Sequence, residues 1–225
     1  MQYDPRLRGS MIDHFWDEDV SPNNLMTCEA MERGDFADGD YSAKIRSKPD
    51  RVQIMLTRDG NAWGVPLKIT KGVTQTAGSS EVEIAYLIEG LPQDRSMHFG
   101  VEFNFAGLPD NQEDRFFSNS NGDNLGQMQT VMNCEDTNQI NLTDRWLGVE
   151  IGLSFDQAGG IFTYPVQSVS QSESGFEAVH QAVCVQPHWT VRGDEQGRWS
   201  VKMTLNLQTN ADKHVSETEV AVSMQ

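Results

Sequence analysis

Long apolar runs are absent from this 225-residue chain. No stretch approaches the ~20 consecutive apolar residues of a membrane-spanning helix. The opening MQYDPRLRGSM carries charge where a secretion signal needs an apolar core. Basic residues are scarce: 17 Lys and Arg face 33 Asp and Glu, a formal net charge of −16. That balance argues against a nucleic-acid partner, because such binding rests on Lys and Arg neutralising phosphates. An anionic membrane surface is disfavoured on the same ground, and the excess acid reads as a solubility device. Cysteine is equally thin. Cys28, Cys134 and Cys184 are odd in number, far apart and without CxxC spacing. Free thiols in a reducing, cytoplasmic compartment are therefore expected rather than a disulfide framework. No apolar stripe at i, i+3, i+4, i+7 holds over three turns, so helices are few.

Period-two patterning takes their place. Short runs rich in Val, Ile, Thr, Phe or Trp recur at 51–57, 67–70, 81–88, 98–105, 148–155, 179–185, 199–207 and 217–222, which suits half-buried strands. Between them lie turn chemistries: Asp59-Gly60-Asn61, Ala77-Gly78-Ser79-Ser80, Asn119 to Gly126, Ala158-Gly159-Gly160 and Arg192-Gly193-Asp194. The best helical stretch is short, near Asn23 to Glu32, with Ser21 as N-cap and Pro22 at the first position. The Asn- and Asp-rich stretch from Leu108 to Asn141 reads as a long excursion over the surface. No internal repeat or linker divides the chain, so residues 1–225 are expected to form one all-β domain, an antiparallel sandwich or barrel.

The run His98 to Phe105 is informative. Alternation puts Phe99, Val101, Phe103 and Phe105 on one face and His98, Glu102 and Asn104 on the other. The aromatic face is core. The polar face reads either as plain solvent exposure or as the lining of a groove whose carboxylate and amide hydrogen-bond sugar hydroxyls. Pattern alone does not choose.

Other groupings have bland readings beside the functional ones. His180-x3-Cys184-x3-His188 has metal spacing on a helix, but Val179, Val183, Val185 and Pro187 argue strand. There the side chains of His180 and Cys184 would stand ~13 Å apart, so no metal site is assigned. Gly34 to Asp40 and Asn119 to Asn124 offer oxygens that calcium uses, yet neither completes a twelve-residue loop closed by a bidentate Glu, and plain turns are favoured. Calcium is the one cofactor left open. Of Trp16, Trp63, Trp146, Trp189 and Trp199, only Trp146, beside a polar loop, reads as a stacking platform; the rest read as core. Asp13-His14 invites a general acid–base reading, and equally a structural network with Arg6 and Arg8.

Three motifs carry a family resemblance. Tyr3-Asp4-Pro5-Arg6-Leu7-Arg8-Gly9-Ser10-Met11-Ile12-Asp13-His14-Phe15 resembles the opening of the C-terminal β domain of glycoside hydrolase family 57 enzymes, of α-amylase and 4-α-glucanotransferase type. Val101-Glu102-Phe103-Asn104-Phe105 is similar to that domain's V-E-F/L-N-x run. Phe162 to Glu177, FTYPVQSVSQSESGFE, resembles its P-(V/I)-x-(T/S)-V-S-x-S-E-x-G-(F/Y)-E segment, with Ser168 where Thr is commoner and Ser174 where Gly is commoner. The resemblance implies a galactose-mutarotase-like, two-sheet antiparallel supersandwich. It also implies that catalysis resides in an N-terminal incomplete (β/α) barrel, with a Glu nucleophile and an Asp acid/base, none of which this chain contains.

The expected role is thus a non-catalytic accessory domain that braces that barrel and binds an α-glucan or maltooligosaccharide. The carbohydrate surface would combine Glu102, Asn104, Trp146, Gln171, Ser172, Glu173 and Glu177. The barrel-facing side would carry Arg6, Arg8, Asp13 and His14. The alternatives are a purely structural module and a stand-alone enzyme of aldose-epimerase type. The latter needs a carboxylate and a His in one cleft, drawn from Glu102, Glu173 or Glu177 with His98 or His180.

Overall fold

Antiparallel pairing organises nearly all of the backbone. The structure, a computed structural model, describes residues 8–106, 111–172 and 175–209. In chain order the elements are β1 (Ile12–Trp16), α1 (Pro22–Met26), β2 (Ser42–Lys48), β3 (Arg51–Ala62), β4 (Val65–Thr76), β5 (Glu81–Glu89) and β6 (Met97–Ala106). There follow β7 (Arg115–Ser118), β8 (Asn124–Gln127), β9 (Met132–Asp144), β10 (Val149–Ser172), β11 (Gly175–Val191) and β12 (Arg198–Thr209). Among the described residues α1 is the only α-helix.

The strand order is β1-β6-β11-β10-β12-β5-β4-β3-β2, with β9 on the other side of β10 and β7 and β8 beyond it. β10 is the hinge of this path. Its first part, Val149–Phe155, runs between β12 and β9, and its later part, Gly160–Ser172, pairs with β11. One long strand therefore feeds two layers. They lie face to face: Phe99 on β6 meets Tyr86 on β5 and Trp199 on β12, with ring centroids 5.9 and 5.8 Å apart, although these strands are not hydrogen-bonded neighbours. This is the expected all-β, two-sheet sandwich.

The interlayer core is built by alternation. On β6, Met97, Phe99, Val101 and Phe103 point inward, joined by Val183, Val185 and Trp189 of β11 and by Leu153 and Phe155 of β10. A second, smaller cluster lies on the outer face of the β1-β6-β11-β10 layer: Trp16, Phe162, Tyr164, Val166, Ala182 and Cys184, covered by Leu25 of α1.

Several local expectations change. The helix spans only Pro22–Met26; Ser21 caps it as expected, in a reciprocal capping box with Asn24, but Cys28 at φ 57 ends the run early. Asp59-Gly60-Asn61 is not a turn but part of β3, where a Cβ on Gly60 would meet Asp35 and Phe36 at 2.5 and 2.7 Å. The true turn follows at Trp63 and Gly64, both at positive φ (55 and 78), a two-residue hairpin loop. Ala158-Gly159-Gly160 likewise lies inside β10. A Cβ there would stand 2.5 Å from the Trp189 indole and 2.2 Å from the His188 ring, so these glycines permit close cross-strand contact rather than a turn. The stretch from Leu108 to Asn141 is no loose excursion: it contains β7, β8 and most of β9, and buries Phe116, Phe117, Met128 and Ile140. The strand expected at 217–222 lies outside the described residues.

Candidate functional site

β1 carries charge on both faces. Asp13 points into the interlayer core, where Lys71 stands 2.7 Å away and the Tyr41 and Tyr86 hydroxyls donate to its carboxylate. His14 points to the opposite face. Its Nδ1 is 2.6 Å from Glu32 and its Nε2 3.2 Å from Glu102. Arg8 donates to Glu102 at 3.5 Å and to the Tyr164 hydroxyl at 3.1 Å, and the Asn104 amide donates to Glu102 at 2.6 Å. Burial opposes charge on both His14 and Glu102. Their mutual hydrogen bond, with Glu32 and Arg8 adding to it, prevails: His14 is held above its ordinary 6.5 and Glu102 below its ordinary 4.5.

The cavity beside this cluster, bounded by Arg8, Trp16, Cys28 and Tyr164, measures about 60 Å³. Small-molecule sites run to ~300–1,000 Å³. The carboxylate–imidazole pair that an epimerase needs thus exists as Glu102 with His14, not His98 or His180, and it has no room for a sugar. His98 instead meets His188, Nε2 to Nδ1, at 3.0 Å, and His188 Nε2 meets Asn133 at 3.2 Å. Burial lowers His98 to about 4, and burial together with the neighbouring His98 lowers His188 to about 3.

Among the described residues the sequence-based sugar surface is not brought together in one place. Glu102 is buried rather than groove-lining, and Asn104 is half-buried beside it. Gln171 and Glu177 are exposed on the outer β10–β11 hairpin. Asn104 pairs with Cys184, whereas Glu177 pairs with Ser170; seven strand positions (184 − 177) separate these levels, ~23 Å. Glu173 and Arg6 lie outside the described residues, as does the Ser172 side chain. Arg8, Asp13 and His14, expected to face a barrel, are engaged by partners within the domain. His180, Cys184 and His188 are spread along extended β11, opposite Gln167, Tyr164 and Gly160. Among the described residues no three His, Cys, Asp or Glu gather as a metal-binding group. Asn119 and Asp123 are hydrogen-bonded to each other and to their own turn, and Asp35 accepts from Asn61.

Beyond the Val166/Gln167 register shift, both arms of the β10–β11 hairpin leave the packed body. Phe176 is 73% exposed there, and Val179, three positions on and so on the other face of the hairpin, is 39% exposed.

A large groove lies elsewhere, on the outer face of β12, β10, β9 and β7, with a volume of about 710 Å³. Register builds it in rungs. Asn206, Gly152, Asn141 and Ser118 form the central one; Thr204, Ser154 and Gln139 flank it on one side, and Gln208, Glu150 and Thr143 on the other. The alternate residues, Leu153, Phe155, Ile140, Leu142 and Met203, face the core. The Asn119–Gly122 turn makes one wall, tied to the floor by Asn141 donating to the Asn119 carbonyl at 3.4 Å. Asp144, Arg145 and Gly148 close one end. Trp146 stands in that same turn, 74% exposed, with the Arg115 guanidinium 5.4 Å from its ring. None of the sugar-binding residues picked from sequence lines this groove; Trp146 packs on Arg115, the partner of the buried Asp144. The lining residues went unseen although the alternation Gln139-Ile140-Asn141-Leu142-Thr143 announces them.

Residues 1–203 match the model of a domain family described as α-amylase/4-α-glucanotransferase, C-terminal. The chain belongs to this family. As a C-terminal domain of that family it is 24% identical over 194 residues to a 4-α-glucanotransferase of Thermococcus kodakarensis, covering 86% of this chain and 26% of the relative. It is 23% identical over 185 residues to an α-amylase of Pyrococcus abyssi, covering 81% and 24%. The chain thus spans about a quarter of the length of these relatives. The crystal structure of a 4-α-glucanotransferase from Thermococcus litoralis superposes with a TM-score of 0.67 at 19% identity, covering 92% of this chain and 28% of that one. A galactose mutarotase-like protein from Clostridium acetobutylicum gives 0.51 at 8% identity, covering 90% and 78%. The structural likenesses establish the fold that the sequence motifs imply. No described helix is long and apolar enough to cross a membrane.

Proposed function

We propose that this chain is the accessory β domain of an α-glucan-acting enzyme, bracing a catalytic barrel and performing neither hydrolysis nor transfer by itself. The observation that carries the reading is the match of residues 1–203 to a C-terminal domain family whose relatives are about four times as long. Local chemistry agrees. A retaining glycosidase needs two carboxyl groups ~5–5.5 Å apart across an open cleft, whereas Glu32 and Glu102 both spend a carboxylate oxygen on the buried His14. The segment most specific in its family resemblance, Phe162 to Glu177, runs from the packed body into the projecting hairpin, which begins beyond Val166. Exposed apolar side chains such as Phe176 and Val179 suit a protein partner better than water.

The test uses the full-length enzyme carrying this domain. Phe176→Ser with Val179→Ser is expected to lower the melting temperature of the catalytic portion, while the isolated domain melts as before. The isolated chain is expected to leave maltoheptaose intact. Turnover that survives repeated purification and is abolished by one Glu substitution overturns the reading, as does a catalytic portion equally stable with and without the domain.

A further inference from the structure

We propose that the groove across β12, β10, β9 and β7 is a binding site for a neutral, linear glucan. The choice of an α-glucan among neutral polyhydroxylated chains rests on the accessory-domain reading above; the groove's own chemistry carries the rest.

The floor is kept open by a glycine. Gly152 sits at the centre of the middle rung with an ordinary, non-positive φ, so its backbone conformation does not require glycine. A mid-strand glycine weakens a sheet and marks a place where something approaches closely. Here a Cβ would enter the groove 3.1 Å from Asn141 Oδ1. The absence of a side chain is thus spent on a depression whose rim is amide and hydroxyl.

That rim has hydrogen-bonding capacity to spare. Thr143, Ser154, Thr204 and Gln208 line the groove, and their side chains make no hydrogen bond to another described residue. Hydroxyls and primary amides both donate and accept, which is what sugar hydroxyls require of a partner. Charge excludes the anionic alternatives. The charged lining sets Glu81, Asp144 and Glu150 against Arg145, a net acidic wall that disfavours a phosphate or sulfate. The volume of about 710 Å³ exceeds what a single small polar solute needs and falls in the range of ligand sites.

The measurement is an amide NMR titration of the chain with maltoheptaose. Expected are shifts at Gly152 and at the side-chain amides of Asn141 and Asn206, with a Kd of about 1 mM. Ser154→Ala with Thr204→Ala removes two hydroxyls that hold nothing else, so the fold is retained and binding weakens about tenfold. Gly152→Val, a good strand former that fills the floor, is expected to abolish the shifts with little change in melting temperature. Shifts of equal size with cellohexaose overturn the α-glucan assignment. No shift at these residues at about ten times the expected Kd, or binding unaffected by both variants, overturns the site. A null titration with a domain that still stabilises its catalytic portion defeats the groove alone. Glucan binding without that stabilisation defeats the bracing role alone.

Discussion

The Lys71 ammonium stands 2.7 Å from the Asp13 carboxylate, with 6% and 0% of the two side chains exposed. Lys71 also donates to the Met11 carbonyl at 2.7 Å, and the Tyr86 hydroxyl donates to Asp13 at 2.9 Å. Removing two charges from water costs several kcal/mol per ion, and only such filled hydrogen bonding offsets it. Lys71→Met is therefore expected to lower unfolding free energy by about 3–5 kcal/mol, because it strands a buried carboxylate. Adding Asp13→Asn is expected to restore much of that loss. Urea denaturation of the two singles and the double decides; strictly additive losses would show that the pair is uncoupled.

The cluster on the other face of β1 has a definite pH window. Glu102 titrates below 4.5 in the folded chain, so its contribution is present above that value and lost as pH falls through the folded one. His14 titrates above 6.5, so its contribution is full below 6.5 and lost as pH rises through the folded value. Stabilisation from the pair is thus greatest between 4.5 and 6.5. His14→Gln is expected to cost most melting temperature in that window and less in alkali. A deficit constant from that window into alkali contradicts the assignment.

His98 and His188 act in the opposite sense. Their folded values of about 4 and about 3 lie below 6.5, so the unfolded chain takes up protons first and stability drains as pH falls from 6.5. His98→Gln with His188→Gln is expected to flatten that decline, as read from melting temperature against pH. An unchanged slope means that other groups set the acid limit.

Two glycines with unremarkable φ should answer substitution differently. An Ala Cβ at Gly160 would sit 2.2 Å from the His188 ring, so Gly160→Ala is expected to destabilise by about 1–3 kcal/mol. At Gly72 nothing lies within 4 Å, and Gly72→Ala is expected to stabilise by about 0.4–1 kcal/mol through the unfolded chain. Thermal denaturation of both variants checks the contrast, and equal effects would refute it.

Legibility in the sequence followed the strength of alternation. β5, β6 and β12 alternate apolar with polar residues over eight or more positions and are found within a residue or two of where the pattern places them. β8 and β9 were hidden because outward positions carry Asn and Gln, residues that resemble loop, and β7, Arg115-Phe116-Phe117-Ser118, because four residues are too few to show alternation. Their inward positions, Phe117, Ile140 and Leu142, hold them in the core regardless. Glu102 shows a second limit. Period two correctly turns it away from Phe103, but which face is covered depends on α1, Arg8 and Glu32, and these arrive from distant parts of the chain. Only the exposure of Trp146 was legible, because a lone aromatic beside a polar turn has no core position to fill.

The continuity of β10 bears on how the molecule comes apart. Leu153 pairs with β12 and β9, while Thr163 on the same strand pairs with β11 and β9. Neither layer can therefore unzip without severing a strand that the other requires. The amide protons of Leu153 and Thr163 are expected to exchange with solvent through the same global opening. Assembly has the same bottleneck. Ile12 must find Glu102, and β10 must be seated before either layer closes, so folding waits on contacts far apart in the chain and is slow.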